Sequence, residues 1–244
     1  MTSLQILLRE SDNGIEILKS FGIKCCPHKT YPNLCLFKYN QSELVVNKYV
    51  EEARGIILDK NDNWKIVSYG FNRFFNYYEE HKAEINWLSE RPPKIYEKMD
   101  GSLMVLYFYN GKWQVSSSGV PDASAPINSK YTFASLFWEI FNEKGYVLPA
   151  NTNRCYMFEM VSPHNQIIIP YTTNNLVLLG IRNTETLKEL SIEQENHGFD
   201  IPQTYYFENV DQVIEASKTL DQSHEGFVIC DDAFNRIKVK SISY

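Results

Sequence analysis

The chain contains no run of the roughly 18 apolar residues that a membrane-spanning helix needs, and no basic N-terminal stretch followed by an apolar one. Neither a membrane span nor a secretory leader is expected. Cysteine is sparse and odd in number: Cys25, Cys26, Cys35, Cys155 and Cys230, two of them adjacent. Such a set is poor material for a disulfide framework, so a reducing compartment is expected. No glycine-rich loop stands ahead of a helix, which excludes a P-loop or Rossmann phosphate cradle; any nucleotide must be held by side chains. Excess positive charge is missing too. With 24 Lys and Arg against 30 Asp and Glu, the net charge of −6 excludes a protein that coats nucleic acid uniformly, though not one with a local basic cleft. Internal repeats, low-complexity runs and Pro/Gly/Ser-rich linkers are absent, which favours one domain.

What is present is a core-former's composition, 43% hydrophobic and 14% aromatic over 244 residues. Leu4 to Leu8 and Ile15 to Phe21 place apolar residues at helical spacing, and residues 1–33 read as a helical covering segment. From Leu34 the texture changes to short β-branched and aromatic runs: Leu34 to Tyr39, Arg54 to Leu58, Trp64 to Tyr69, Lys94 to Glu97, Leu103 to Tyr109 and Trp113 to Ser117. Asn61-Asp62-Asn63 and Asn110-Gly111 read as hairpin turns, the second of type I′. Phe133, Leu136, Phe137, Ile140 and Phe141 make a helical core stripe within Tyr131 to Lys144. Arg154 to Val161, Gln166 to Ile169, Leu176 to Ile181, Gly226 to Cys230 and Arg236 to Lys240 read as strands, and Val210 to Leu220 as a helix. The expected class is α+β, mostly antiparallel sheet with flanking helices.

Cys25, Cys26, His28 and Cys35 do not have the paired spacing of a zinc site and read as packing residues. The polar pattern that carries chemistry lies elsewhere. Lys98-Met99-Asp100-Gly101-Ser102 sets a lysine at a strand end before a glycine that permits a sharp turn. Glu159 is embedded in Tyr156 to Val161, and Glu225 opens the strand Glu225 to Ile229; acids inside apolar strands are costly unless paired or ligating. Lys238 and Lys240 alternate with apolar residues, so both ammonium groups share one face of a strand. An amine that attacks a nucleotide α-phosphate needs such company. Neighbouring cations favour its neutral form and stabilise the charge that builds on phosphate, while carboxylates bind ribose hydroxyls and position a hydrated Mg²⁺.

In this order and spacing, Lys98-Met99-Asp100-Gly101-Ser102, Phe158-Glu159-Met160-Val161, Glu225-Gly226-Phe227-Val228 and Lys238-Val239-Lys240-Ser241 resemble the covalent nucleotidyltransferase motifs of ATP-dependent ligases, and most closely the phage-type RNA ligase 1 family. Arg54-Gly55-Ile56-Ile57, Arg73-Phe74-Phe75-Asn76 and Tyr244 also match, so the resemblance covers roughly residues 35 to 244. It implies the adenylyltransferase fold of RNA and DNA ligases, ATP-grasp-like, expected here as one domain over 1–244 with its catalytic core at 34–244; the C-terminal OB-fold or helical domain into which such relatives continue is not expected within these residues, so the sequence reads either as a minimal ligase or as the catalytic domain of a longer protein. It also implies Lys98 as the adenylated nucleophile, Glu159 as the ribose-binding acid, and Glu225 as the acid near lysine and metal. Lys238 and Lys240 would hold the α-phosphate and assist its transfer, Arg54 and Arg73 would contact nucleotide or leaving phosphates, and Tyr39 would line the nucleotide pocket. Glu159 and Glu225 would reach Mg²⁺ or Mn²⁺ through water, and Asp100 would orient the lysine loop. The implied reaction adenylates Lys98, transfers AMP to a 5′-phosphate RNA end and joins that end to a 3′-hydroxyl, as in tRNA repair. An end-healing kinase or phosphatase is an implied partner. A monomer in the cytoplasm, or in a host's cytoplasm for a viral protein, is expected. The alternatives are a DNA ligase, a capping guanylyltransferase, or a non-catalytic module that binds nucleotide or RNA ends. Two departures stand out: Arg73 occupies a position where relatives often carry lysine, and Ser116-Ser117-Ser118-Gly119 lacks a basic residue before its glycine.

Overall fold

A computed structural model describes residues 1–40 and 45–244, whose strands form three sheets. In chain order the elements are α1 (Ser3–Glu10), α2 (Gly14–Ser20), β1 (Ile23–Pro27), β2 (Leu34–Tyr39), α3 (Lys48–Glu52), β3 (Arg54–Asp59), β4 (Lys65–Ser68), β5 (Phe75–Asn76), β6 (Lys94–Glu97), β7 (Ser102–Tyr109), β8 (Lys112–Ser117), α4 (Phe133–Glu143), β9 (Arg154–Val161), β10 (Asn175–Asn183), β11 (Glu189–Leu190), β12 (Thr204–Tyr205), α5 (Val210–Lys218), β13 (Gly226–Cys230) and β14 (Arg236–Lys240). The sheets run β1-β2-β3-β4, β11-β10-β9-β7-β8 and β12-β6-β13-β14-β5. Among the described strands every neighbouring pair is antiparallel except β14 with β5. The α+β class with dominant antiparallel sheet is as expected, and no helix among the described residues is long and apolar enough to cross a membrane.

Period-two alternation explains the layering. In β2, Cys35 and Phe37 face the N-terminal helices with Leu4, Leu8 and Leu18, whereas Leu34 and Leu36 face the second sheet with Val105, Tyr107, Cys155 and Met157. The first sheet is therefore covered on both faces, which is why its strands read as near-continuous apolar runs. In β9, Tyr156, Phe158 and Met160 point to the other side, against α4 through Phe137 and Phe141. Phe137 and Phe158 are fully buried, each gaining about 1.5–3 kcal/mol from that burial. Thr132 starts α4 with a capping box, its hydroxyl accepting from Ser135 N while Ser135 Oγ accepts from Thr132 N. The β7–β8 hairpin turns on Asn110 (φ 49°) and Gly111 (φ 75°), the two positive values of a type I′ turn.

Two expectations are corrected. Residues 1–33 are not wholly helical, because β1 pairs with β2 from Ile23↔Tyr39 to Pro27↔Cys35. It is an edge strand, where a terminal proline is tolerated. Gln166 to Ile169 form no strand: the backbone N–H groups of Ile168 and Ile169 are taken by the Asp100 carboxylate rather than by a neighbouring strand. The isoleucine run gives strand propensity, and a side chain from another element outbids it.

Candidate active site

The second and third sheets meet around a cavity of about 290 Å³, lined among others by Tyr39, Arg54, Phe74, Lys98, Glu159, Glu225, Lys238 and Lys240. Alternation supplies these residues. Ile237 and Val239 of β14 enter the core beneath α5, so Lys238 and Lys240 lie on the opposite face, toward the cavity. Glu159 continues the row Cys155, Met157 along β9 at the point where that row leaves the core.

Lys98 follows β6, its backbone N–H donating to Gly226 O at 2.9 Å. Its Nζ lies 2.6 Å from Glu225 Oε2, and Lys240 Nζ lies 3.5 Å from Glu225 Oε1. One buried carboxylate thus bridges two lysines. Gly226, at φ 135°, permits this approach: a Cβ there would stand 2.2 Å from Val239 O. Gly101 is constrained as tightly, since its Cβ would meet Met160 O at 2.4 Å. That close seat on β9 lets Gly101 N–H donate to Glu159 Oε1 at 3.0 Å. Asp100, buried at 3% exposure, accepts from Ile168 N at 2.9 Å, Ile169 N at 2.6 Å and Tyr244 Oη at 2.8 Å. The Tyr244 ring also lies under Lys240 Nζ, 4.9 Å from its centroid. The lysine loop is therefore fixed from both sides.

Burial pushes the Glu159 carboxyl up to about 7, against the opposing pull of Lys98 and of the Gly101 N–H. Burial also pushes Lys238 down to about 8, assisted by the charges of Arg54 and Lys98. Arg54 is lowered by burial as well. Arg54 and Lys238 lie 5.1 Å from the centroid of the Phe74 ring, a cation–aromatic arrangement on both counts. Arg73 does not line this cavity. Its guanidinium packs on Tyr39 and Phe75, 4.9 Å from each ring centroid, and it borders a neighbouring recess. Of the expected site residues, Tyr39, Arg54, Lys98, Glu159, Glu225, Lys238 and Lys240 converge, and Arg73 reaches the cavity only through Tyr39.

The cavity contains groups that no sequence motif singled out. Lys38 lies across Gly119, where a Cβ would stand 3.1 Å from its Nζ, and both Lys38 and Ser118 line the wall. A lysine from β2 thus brings positive charge to the segment whose own sequence offers only serine. Behind the wall, Glu189 on β11 accepts two bonds from Arg236, at 3.0 and 2.7 Å, and one from Arg182 at 2.7 Å. This clamp ties β10 and β11 of the second sheet to β14 of the third. No group of three or more His, Cys, Asp or Glu suited to holding a metal occurs among the described residues. Glu159 and Glu225 are two carboxylates lining one cavity, a set suited to holding a hydrated cation through water rather than to coordinating a bare ion.

Residues 52–244 match the family model described as RNA ligase. The chain is 33% identical over 206 residues to an RNA ligase of Rhodothermus phage RM378, covering 72% of this chain and 46% of the relative. It is 32% identical over 241 residues to a protein of Autographa californica nuclear polyhedrosis virus named as a bifunctional polynucleotide kinase/RNA ligase, covering 82% of this chain and 33% of that one. The chain thus spans less than half the length of both relatives. An archaeal ATP-dependent RNA ligase structure shares the fold at a TM-score of 0.64 and 13% identity, over 97% of this chain and 64% of the other. By its motifs, its fold and the match over residues 52–244, the chain belongs to the RNA ligase family.

Proposed function

We propose that the protein is an ATP-dependent RNA ligase working through a lysyl-AMP intermediate. The observation that carries this reading is the array of Lys98, Glu225 and Lys240 at one wall of a cavity whose other groups are Glu159, Arg54 and Lys238. Lys98 Nζ would attack the ATP α-phosphorus; the N–P bond forms, the bond to the β-phosphate oxygen breaks, the amine sheds a proton and pyrophosphate leaves. Glu225 aims Nζ at the cavity. Lys238, Lys240 and Arg54 stabilise charge on the phosphates, and Glu159 accepts from the ribose hydroxyls while keeping the Gly101 N–H seated. Mg²⁺ arriving with ATP would neutralise phosphate charge, held to Glu159 and Glu225 through water. A 5′-phosphate RNA end then takes AMP from Lys98, with the amine regaining a proton. A 3′-hydroxyl finally attacks that end and releases AMP. RNA repair is the proposed use, and a kinase/phosphatase that heals ends would supply the 5′-phosphate.

The test is incubation with radiolabelled ATP or GTP and Mg²⁺ before denaturing electrophoresis. Label from ATP alone, lost in Lys98→Ala, is expected. Label from GTP would point to a guanylyltransferase, absence of label to a non-catalytic end-binding module, and sealing of DNA ends in preference to RNA to a DNA ligase.

A further inference from the structure

A second recess of about 570 Å³ adjoins the Lys98 cavity and shares Phe71, Phe74 and Arg236 with it. Its charge balance is positive: Arg73, Arg182, Lys188 and Arg236 face only Glu51 and Glu189. Glu189 is engaged by Arg182 and Arg236, and among the described residues neither Arg73 nor Lys188 forms an ion pair. Arg73 also has a buried Nη1 without a hydrogen-bond acceptor. A buried cationic donor left in that state is costly unless a ligand supplies the acceptor.

Two residues of the recess also have a left-handed backbone. Leu187 (φ 62°) and Phe234 (φ 63°), both in the left-handed region that bulky residues avoid, line this recess. Phe234 stands in the turn between β13 and β14. Asp231 Oδ1 holds the turn by accepting from Ala233 N at 3.1 Å and Asn235 N at 2.8 Å. The half-buried ring is thereby presented to the recess.

We infer that this recess binds a nucleotide of the single-stranded RNA being joined, with the base against Phe234 and phosphate oxygens at Arg73 and Lys188. The inference rests on the ligase reading. Its physical basis is general: an aromatic platform beside unpaired cations accepts any base while tracking the backbone. Contact with the Lys98 cavity lets an RNA end continue from the recess to the reacting phosphate.

The test titrates the full chain with two fluorescent oligoribonucleotides, one with a 5′-phosphate and a blocked 3′ end, the other with a 5′-hydroxyl and a free 3′ end. Phe234→Ala and Lys188→Glu should each raise Kd about tenfold or more for one or both strands, with label on Lys98 from ATP unchanged. The strand affected identifies which end occupies the recess. Lys188→Glu should also reduce the slope of log affinity against log salt by about 1. Unchanged Kd for both strands in Lys188→Glu, whose exposed side chain leaves the fold intact, would overturn the inference even where Phe234→Ala fails to fold. If the unsubstituted protein takes no label from ATP, the ligase reading fails, and the titration still decides the recess.

Discussion

Replacing Asp100 by alanine should unfix the lysine loop at a cost large enough to see by calorimetry. Its Oδ2 accepts from the backbone of Ile168 and Ile169, and its Oδ1 accepts the Tyr244 hydroxyl. Hydrogen bonds to a charged group contribute about 1.5–3 kcal/mol each. Ile168 is half exposed, so its N–H finds water once the carboxylate is gone. The bonds from Ile169 and Tyr244 are the ones not replaced, and the net loss should be about 3–5 kcal/mol. For a chain of this length each kcal/mol moves Tm by about 2–4 °C, so a fall of about 6–20 °C is expected. Asp100→Asn keeps one oxygen for the two N–H groups and turns an amide donor toward Tyr244, whose hydroxyl can accept instead. Its loss should be near 1–2 kcal/mol, about the difference between a charged and a neutral acceptor. Differential scanning calorimetry of the three proteins decides the matter. A Tm for Asp100→Ala within about 2 °C of the parent, or an asparagine variant as unstable as the alanine one, would refute the reasoning.

Glu189→Ala leaves the guanidinium groups of Arg182 and Arg236 without their carboxylate, each with only 10% of its side chain exposed, and should cost about 3–5 kcal/mol in denaturant unfolding. The rate of Lys98 adenylation should be bell-shaped in pH. It should rise through about 7 as Glu159 becomes a carboxylate able to accept from ribose, then fall through about 8 as Lys238 loses the charge that stabilises phosphate. The same shifts bear on folding. Stability from protonated Glu159 is lost as pH rises through about 7, and stability from neutral Lys238 is lost as pH falls through about 8. Lys38→Ala should slow lysyl-AMP formation from ATP about tenfold, one charge-assisted phosphate contact, while leaving the sealing of pre-adenylated RNA unchanged. Equal losses in both steps, measured in single-turnover assays, would assign Lys38 a structural role.

The legible part of this molecule was whatever obeys short-range periodicity. β9, β13 and β14 follow from alternation, and the sharing of one face by Lys238 and Lys240 follows from the same rule. Residues brought together from distant segments were not legible. Lys38 reaches the Ser116 to Gly119 segment only because β2 and the loop after β8 border one cavity. The clamp joins Glu189 to Arg236 across 47 residues with no motif at either end. Gln166 to Ile169 misled because β-branched runs report a tendency toward extended backbone, whereas the partner that captured their N–H groups lies 68 and 69 residues away. Phe74 was visible as a letter in Arg73-Phe74-Phe75-Asn76, but not as the ring that Arg54 and Lys238 share.

That shared ring has a thermodynamic side. Arg54 repels Lys238, as the depression of the Lys238 proton affinity by Arg54 indicates, and Phe74 packs against both cations. The protein without ligand therefore carries stored repulsion that any multivalent anion relieves. Pyrophosphate alone, which offers no base, sugar or reactive phosphoanhydride to Lys98 in the forward direction, should raise the unfolding temperature, with a stabilisation that grows as the logarithm of its concentration once that exceeds Kd. The cavity is in that respect a charge-compensation site, whatever else its ligand carries.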